Sequence, residues 1–300
     1  MDFSLRRTQG IDAGMKVARA SYIAGFQSTS NVLAGKVYGI PVAGTMAHSY
    51  VSSFEHEVDS FRAFAQSFPS NTVLLLDTYD TVVATTKAVV VAHEMEARGH
   101  RLQGVRLDSG DLLDLSRRVR QILDEAGLDH VLVLASGGLD EFEVDRLVQA
   151  GAPIDGFGVG TRMGVSGDAP WLDMAYKLVR YAGRPVLKLS TGKVSLADEK
   201  QVFRLWDSDG RLRGDVIGLA GEQLPEPGAE ALLETFMEDG SVVKPLPSLD
   251  EMRDRFQEDF TALDDRFKAL KKASKYPVRL SLSLRKLQQT MEREAEAADA

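Results

Sequence analysis

The sequence predicts an α/β fold in the form of an incomplete (β/α) barrel. From about residue 40, an apolar run, a turn rich in Gly, Ser, Asp or Thr, and a stretch with helical spacing recur in that order. The apolar runs are continuous rather than alternating, which is typical of parallel strands buried on both faces. Polar motifs directly follow these runs, where barrels carry their sites. A doubly wound sheet uses the same units and is the alternative.

Five βα units follow one another along the chain. The predicted strands span residues 40–43, 72–76, 104–107, 130–135 and 154–159. The clearest helices lie at 112–126 and 141–150, and the first is followed by Gly127, a residue suited to a helix C-terminus. Residues 185–189 would be a sixth strand, which still falls short of the eight strands of a complete barrel.

The pattern changes after residue 175. Turn residues at 182–184, 207–210 and 238–240 interrupt strand-like runs and predict β hairpins. From Asp250 a single helix is predicted, with one apolar face docked on a core and formed by Met252, Phe256, Phe260, Leu263, Phe267 and Leu270. The chain thus divides into a barrel portion (1–175), a hairpin region (176–245) and a C-terminal helical region (246–300). The lysines expected as surface charges are Lys177, Lys188, Lys193 and Lys200.

Composition narrows the class of protein. The 300 residues include 44 acidic and 36 basic side chains, a net charge of −8, which argues against a nucleic-acid-binding protein. There is no cysteine, so thiolate metal sites and cysteine nucleophiles are excluded. No window approaches the roughly 18 uncharged apolar residues of a membrane helix, and the first residues lack the apolar core of a signal peptide. We expect a cytoplasmic protein that does not bind membranes.

Five polar motifs follow the predicted strands directly. In sequence letters they are GTMAHS (44–49), DTYDT (77–81), RLDSGD (106–111), SGGLD (136–140) and GVGTR (158–162). Each alone is an ordinary turn or helix cap, and Asp80 and Asp111 are expected to cap the helices that follow them. Because the carboxyl ends of parallel strands meet at one rim, the five motifs together predict a single site.

The side chains in these motifs indicate which ligands the site would accept. Asp77 and Asp108 offer the carboxylate oxygens that Mg²⁺ takes together with substrate phosphates, as do Asp80 and Asp111 if these two do not serve only as helix caps. The Gly, Ser and Thr residues of the last two motifs let backbone N–H groups approach an anion. Arg106 is placed either to clamp a carboxylate or phosphate, or to form an ion pair with a neighbouring aspartate. His48 is the only histidine on the predicted rim, where it would act as a base or a nucleophile.

The order and spacing of these motifs resemble the nicotinate phosphoribosyltransferase family. The matching stretches are DFSLRR (2–7), TSNVLAG (29–35), GIPVAGTMAHS (39–49), LLDTYDT (75–81), GVRLDSGDL (104–112), ASGGLD (135–140), GFGVGT (156–161) and YKL (176–178). The resemblance extends from residue 2 to about residue 205, and PVRLS (277–281) is similar to the family's C-terminus.

This resemblance implies a barrel of the type II phosphoribosyltransferase kind, joined to a partial second domain, in a homodimer whose sites lie near the subunit interface. It also implies that nicotinate and phosphoribosyl pyrophosphate react to give nicotinate mononucleotide and pyrophosphate, a step of NAD biosynthesis. The reaction would use Mg²⁺, with ATP as co-substrate. His48 matches the histidine that ATP phosphorylates, which couples ATP hydrolysis to substrate binding.

The resemblance assigns further roles residue by residue. Phe3 matches the aromatic residue that stacks on the pyridine, and Arg6 a basic residue near the substrate phosphate. Arg106 would contact the pyridine carboxylate or the ribose, and Asp108 the ribose or Mg²⁺, which Asp77 would also bind. The ribose 5-phosphate would lie against Ser136, Gly137, Gly160 and Thr161. The remaining predicted substrate-binding residues are Ser30, Thr45, Gly138 and Gly158.

Family members carry well over a hundred residues before the motif at 2–7, so we expect a truncated gene model or a shortened protein.

Two other functions stay open. One is a phosphoribosyltransferase for nicotinamide or quinolinate. Quinolinate carries two carboxylates and would need several convergent basic residues, whereas only Arg106 stands out in the sequence. The other is a catalytically impaired fragment that binds nucleotide or a partner subunit.

Overall fold

The computed structural model describes residues 1–172, 174–190, 192 and 194–298, and it divides into two compact units, Met1–Trp171 and Leu172–Ala300. None of the described helices is long and apolar enough to cross a membrane. Of the four lysines predicted at the surface, Lys177 and Lys188 are exposed, whereas Lys200 is half-buried and its ammonium donates to the Leu196 carbonyl at 2.9 Å. Lys193 lies outside the described residues.

The first unit alternates helices with short strands. Its helices are α1 (Ile11–Ile23), α2 (Val32–Tyr38), α3 (His48–Val51), α4 (Glu57–Ser67), α5 (Thr81–Glu96), α6 (Leu112–Glu125), α7 (Glu141–Gln149) and α8 (Thr161–Gly164), with a 3₁₀ turn at Leu5–Arg7. Its strands are β1 (Val73–Leu75), β2 (Gly104–Leu107), β3 (Leu132–Ser136) and β4 (Gly156–Gly158). The predicted α/β class is therefore confirmed.

The four strands form a parallel sheet in the order β1, β2, β3, β4. Isolated parallel bridges join Val159 to Asp2, Asp2 to Thr29, and Thr29 to Val42, and they extend this row of segments beyond β4. Over the residues that the structure describes, the row is not closed into a barrel. The strand predicted at 40–43 is reduced to the bridge at Val42, because Pro41 has no N–H to donate to a neighbouring strand.

The core of this unit is built on the middle of the sheet. Leu74, Val105 and Val133 stand side by side on β1, β2 and β3 and are fully buried. The helices that follow the strands begin at capping carboxylates, which accept a backbone N–H at 2.8 Å for Asp80 and 3.0 Å for Asp111. The capping role predicted for both residues is confirmed. Each cap fixes where the polar turn ends and the helix begins.

The second unit is mainly antiparallel. Its strands are β5 (Arg180–Tyr181), β6 (Arg184–Pro185), β7 (Lys200–Trp206), β8 (Leu212–Leu219), β9 (Glu230–Ala231), β10 (Met237–Glu238), β11 (Ser241–Val242) and β12 (Val278–Leu280). Its helices are α9 (Leu249–Ala262), α10 (Asp265–Lys268) and α11 (Leu282–Ala298). The hairpins β5–β6, β7–β8 and β10–β11 enclose the three predicted turns, which confirms the hairpin prediction. The larger sheet has the order β12, β8, β7, β9.

Three predictions for this unit are wrong. Residues 185–189 do not form a sixth parallel strand, because β6 pairs antiparallel with β5 and ends at residue 185. The helix predicted from residue 250 to 270 is divided into α9 and α10, because Leu263 is extended, with ψ 134°. Its apolar face is not buried either. Phe256 and Phe260 stack with ring centroids 5.7 Å apart and are 36% and 46% exposed.

Candidate active site

A cavity of about 740 Å³ opens at the carboxyl ends of the parallel strands. Every catalytic or substrate-binding residue predicted from the sequence lines it, namely Phe3, Arg6, Ser30, Thr45, His48, Arg106, Asp108, Ser136, Gly137, Gly138, Gly158, Gly160 and Thr161. Asp77, the other predicted metal ligand, lies beside this lining, with Oδ1 3.9 Å from His48 Nε2. Residues far apart in the chain therefore meet at one place.

Arg106, on β2, organises the centre of the cavity. Its Nε donates to Ser136 Oγ on β3 at 2.8 Å, its Nη1 donates to Thr45 Oγ1, and its Nη2 lies 3.1 Å from Asp108 Oδ2. The guanidinium carbon lies 5.3 Å from the centroid of the Phe3 ring, a cation–π distance. The arginine therefore makes the ion pair considered from the sequence and also holds an aromatic ring at the cavity wall.

Asp108 is held in its charged form. Burial raises the pKa of its carboxyl, but the hydrogen bond from Ser136 Oγ (2.6 Å) and the charge of Arg106 outweigh burial, with a smaller contribution from His48. The pKa therefore lies below the ordinary value of 3.8. At neutral pH this half-buried group is a carboxylate that can accept hydrogen bonds or bind a cation.

His48 is the first residue of α3, and both of its ring nitrogens have neighbours. Nδ1 lies 3.1 Å from Thr78 Oγ1, and Nε2 lies 3.5 Å from Asp108 Oδ2. The side chain is 44% exposed. The imidazole is thus oriented by a hydroxyl on one side and by carboxylates on the other, and it stays accessible to a reactant in the cavity.

Asp77 follows β1, and its side chain is only 4% exposed. Ser109 donates to Oδ2, whereas Oδ1 is buried without a hydrogen-bond partner. A buried carboxylate oxygen is costly unless a proton donor or a cation meets it. Thr78 and Ser109 were not predicted as site residues, although both stand in the quoted motifs directly after a predicted aspartate.

Close packing requires glycine at two positions of the cavity wall. A Cβ on Gly158 would lie 2.5 Å from the Phe3 ring. A Cβ on Gly137 would lie 1.8 Å from the carbonyl oxygen of Asp108, and Gly137 also has a φ of +93°. The turn after β3 therefore touches the backbone that carries Asp108, and β4 touches the ring of Phe3.

Buried Asp2 lies between the segments that carry Phe3 and Ser30 of the cavity wall, a role that was not predicted from the sequence. Its Oδ2 accepts a hydrogen bond from Thr29 Oγ1 at 2.7 Å, and its carbonyl accepts one from the N–H of Ser30 at 2.8 Å. The N–H of Phe3 donates to the Val159 carbonyl at 2.8 Å. Phe3 and Ser30 are therefore fixed by the segments that extend the sheet.

Replacing Ser136 with alanine is expected to raise the pKa of Asp108, because the hydrogen bond to the charged form is lost. A carboxyl whose pKa is lower in the folded than in the unfolded state stabilises the fold at pH values above its unfolded-state pKa. This contribution disappears as the pH falls through the folded-state pKa. The variant should lose about 1 kcal/mol of unfolding free energy near neutral pH and less near pH 3. Urea unfolding at both pH values checks this, with Ser53→Ala as the surface control. An equal loss at both pH values would contradict it.

Known proteins share these features. The model for the nicotinate phosphoribosyltransferase (NAPRTase) family matches residues 1–192, and the model for the nicotinate phosphoribosyltransferase C-terminal domain matches residues 226–288. A nicotinate phosphoribosyltransferase of Mycobacterium tuberculosis is 46% identical over 283 residues, which is 94% of this chain. The chain spans only about 60% of the length of that relative.

Two solved structures have the same fold. Human nicotinic acid phosphoribosyltransferase is 29% identical, with a TM-score of 0.79 over 97% of this chain and 70% of that chain. Nicotinate-nucleotide pyrophosphorylase from Pyrococcus furiosus is 27% identical, with a TM-score of 0.73 over 87% of this chain and 65% of that chain. The family model, the mycobacterial relative and the predicted motifs around one cavity agree. The chain belongs to the nicotinate phosphoribosyltransferase family.

Proposed function

We propose that this chain catalyses the transfer of the phosphoribosyl group of phosphoribosyl pyrophosphate to nicotinate, with release of pyrophosphate. The observation that carries this proposal is the convergence of all the predicted substrate-binding residues on one cavity. Membership of the nicotinate phosphoribosyltransferase family supports the same reaction. The homodimer and the cytoplasmic location expected from the sequence are part of the proposal.

In the proposed reaction, the pyridine nitrogen forms a bond to C1 of the ribose while the bond from C1 to the pyrophosphate oxygen breaks. Phe3 would stack on the pyridine. Arg106, whose guanidinium carbon lies 5.3 Å from the centroid of the Phe3 ring, would bind the carboxylate of the base. The charged Asp108 would face the ribose, where positive charge develops in the transition state. No side chain needs to attack the sugar, so positioning and electrostatics supply the rate enhancement.

The substrate 5-phosphate would lie against the turns that follow β3 and β4. Gly137 and Gly138 have φ of +93° and +64°, and both line the cavity together with Gly160 and Thr161. Turns without side chains let backbone N–H groups approach phosphate oxygens closely. Arg6, on the 3₁₀ turn, would add positive charge at the same wall.

Mg²⁺ fits the donors at this site. Asp77 and Asp108 both approach His48 Nε2, and the buried Oδ1 of Asp77 has no other partner. Within the described part of the chain, no group of three or more His, Asp or Glu side chains could hold a metal ion. The two carboxylates would hold Mg²⁺ together with substrate phosphate oxygens, which would supply the remaining ligands. When bound, the ion would neutralise charge on the leaving pyrophosphate.

ATP would act through His48. A ring nitrogen of His48 would attack the γ-phosphorus of ATP, ADP would leave, and water would later hydrolyse the phosphohistidine to histidine and phosphate. The exposure of the imidazole and its fixed orientation support this step. Coupling by this route would use the free energy of ATP hydrolysis to favour product formation.

Quinolinate is the second candidate base, and one observation favours it. Arg6 and Arg7 line the cavity together with Arg106, so more than one guanidinium is available for a second carboxylate.

A different alternative is an impaired fragment that binds ligands without turnover. The chain spans about 60% of the length of the mycobacterial relative.

One assay separates these functions. The purified chain is incubated with phosphoribosyl pyrophosphate, Mg²⁺ and either nicotinate, nicotinamide or quinolinate, with and without ATP. We expect nicotinate mononucleotide from nicotinate, at a rate that ATP raises. Preferred use of quinolinate, with release of CO₂, would support the second candidate. No product from a cooperatively folded sample would support the impaired fragment.

A further inference from the structure

The first unit contains an ion pair that the proposed reaction does not use, between the buried carboxylate of Glu57 and Lys87, whose side chain is 36% exposed. Glu57 is the first residue of α4, and its side chain is 2% exposed. Its Oε2 lies 2.9 Å from Lys87 Nζ on α5, whereas its Oε1 is buried without a hydrogen-bond partner. Moving a carboxylate out of water costs free energy that a single ion pair often fails to recover. Stability alone therefore explains this pair poorly.

The same two helices are already joined at the surface. The guanidinium of Arg62 on α4 forms a bidentate ion pair with Glu94 on α5, with Nε 3.0 Å from Oε2 and Nη2 2.8 Å from Oε1. The side chains of Arg62 and Glu94 are 44% and 32% exposed, so the Glu94 carboxylate carries less of a desolvation cost than the Glu57 carboxylate, which is 2% exposed. Two ion pairs therefore join α4 to α5, and only the Glu57–Lys87 pair contains a buried carboxylate.

Helix α4 is connected to the segment that carries His48. Tyr50, in the same short helix α3 as His48, packs against Phe64 of α4 with ring centroids 5.9 Å apart. It also packs against Phe54, in the connection between the two helices, at 5.2 Å. Val51, also in α3, is fully buried. A shift of α4 would therefore move the backbone of His48.

Helix α5 is connected to the segment that carries the partners of His48. The loop between β1 and α5 contains Asp77 and Thr78, and its last residue, Asp80, caps α5 by accepting the N–H of Val83 at 2.8 Å. Glu57 follows His48 by the same number of residues as Lys87 follows Thr78. The Glu57–Lys87 ion pair therefore joins α4 and α5 at positions equally far along the chain from His48 and from Thr78, whose side chains are in contact.

We propose that Glu57 and Lys87 are positioning residues that set the register of α4 against α5 and so hold the His48 imidazole against Thr78 and the site carboxylates. The buried carboxylate of Glu57 meets the Lys87 ammonium in only one register of the two helices, whereas contacts between apolar side chains are less directional. The pair acts through the helices and does not touch a substrate. The expected effect on phosphoryl transfer rests on the proposed function, but the effect on the arrangement of the two segments does not.

The main variant is Glu57→Met/Lys87→Met, which replaces the ion pair with apolar side chains of similar length. Replacing a buried pair in this way is often neutral or stabilising, so the variant is expected to fold. The matched control is Arg62→Met/Glu94→Met, which removes the exposed pair between the same two helices. A second variant, Glu57→Asp, keeps the charge and shortens its reach by one methylene.

Two readouts are compared for each variant, with thermal unfolding as the check on folding. Amide hydrogen exchange is followed over residues 46–56 and 76–81, and phosphohistidine formation is followed with radiolabelled ATP. In Glu57→Met/Lys87→Met we expect exchange in both segments to become about tenfold faster, through local opening. Its phosphorylation rate should fall about tenfold, because small displacements of a reacting group are costly. The control should stay within about twofold on both readouts.

Parent-like exchange in both segments of a folded Glu57→Met/Lys87→Met variant would overturn the proposal, as would an equal change in the control. If the double variant does not fold, the exchange of Glu57→Asp tests the proposal instead. Faster exchange confined to the two segments supports a positioning role, and unchanged exchange refutes it. If the parent chain is not phosphorylated at all, the proposed function has failed at His48. The exchange measurement then still decides the role of the pair.

Discussion

Gly137→Ala is expected to lose most of the stability of the first unit and, with it, the proposed transferase activity. The new Cβ would stand 1.8 Å from the carbonyl oxygen of Asp108, a backbone atom that cannot turn aside as a flexible side chain would. The φ of +93° adds strain for any residue with a Cβ. Relief requires that the turn after β3 move away from the turn after β2, which separates Ser136 from Asp108. We expect a loss of about 4 kcal/mol or more in unfolding free energy.

The control for backbone strain is Gly127→Ala. Gly127, in the turn after α6, has a φ of +72°, but its added Cβ would meet no atom within 4 Å. That variant should lose only about 1–2 kcal/mol, the cost of the left-handed conformation alone. Urea unfolding of both variants measures the difference. Equal losses at the two positions would show that the contact with Asp108 is not what excludes a side chain from position 137.

The site residues that stand at strand ends could be predicted from the sequence because their position is a local property. A run of buried apolar residues followed by Asp, Gly or Ser marks the point where a parallel strand meets the rim, and the structure brings Arg106, Asp108 and Ser136 together there. The caps at Asp80 and Asp111 are equally local, because a capping carboxylate binds the first turn of its own helix.

The remaining features depend on contacts between distant segments. Nothing near Asp2 in the sequence indicates that its carboxylate meets Thr29, and nothing near Glu57 indicates Lys87. The apolar spacing after residue 250 suits a continuous buried helix, yet Leu263 is extended and Phe256 is left exposed. Periodicity reports which face is apolar, but only packing decides whether that face is covered.

His48→Asn is expected to abolish the proposed stimulation of the reaction by ATP while the unstimulated reaction continues. The asparagine side chain can replace the contact with Thr78 but cannot form the phosphoramidate, so no phosphoenzyme accumulates. Because His48 is 44% exposed, its loss leaves no large cavity and the fold should persist. Product formation with ATP should fall about tenfold or more, to the level measured without ATP.

The matched control is His93→Asn. His93 lies on α5, is 52% exposed and has Nδ1 3.1 Å from Glu96 Oε2. It shares the chemistry of His48 but not its position, because it does not line the cavity. Acid-labile radiolabel from ATP should therefore be retained in His93→Asn and lost in His48→Asn. If the label persists in His48→Asn, another residue is phosphorylated. If His48→Asn keeps full ATP stimulation but carries no label, ATP does not act through a phosphohistidine at position 48.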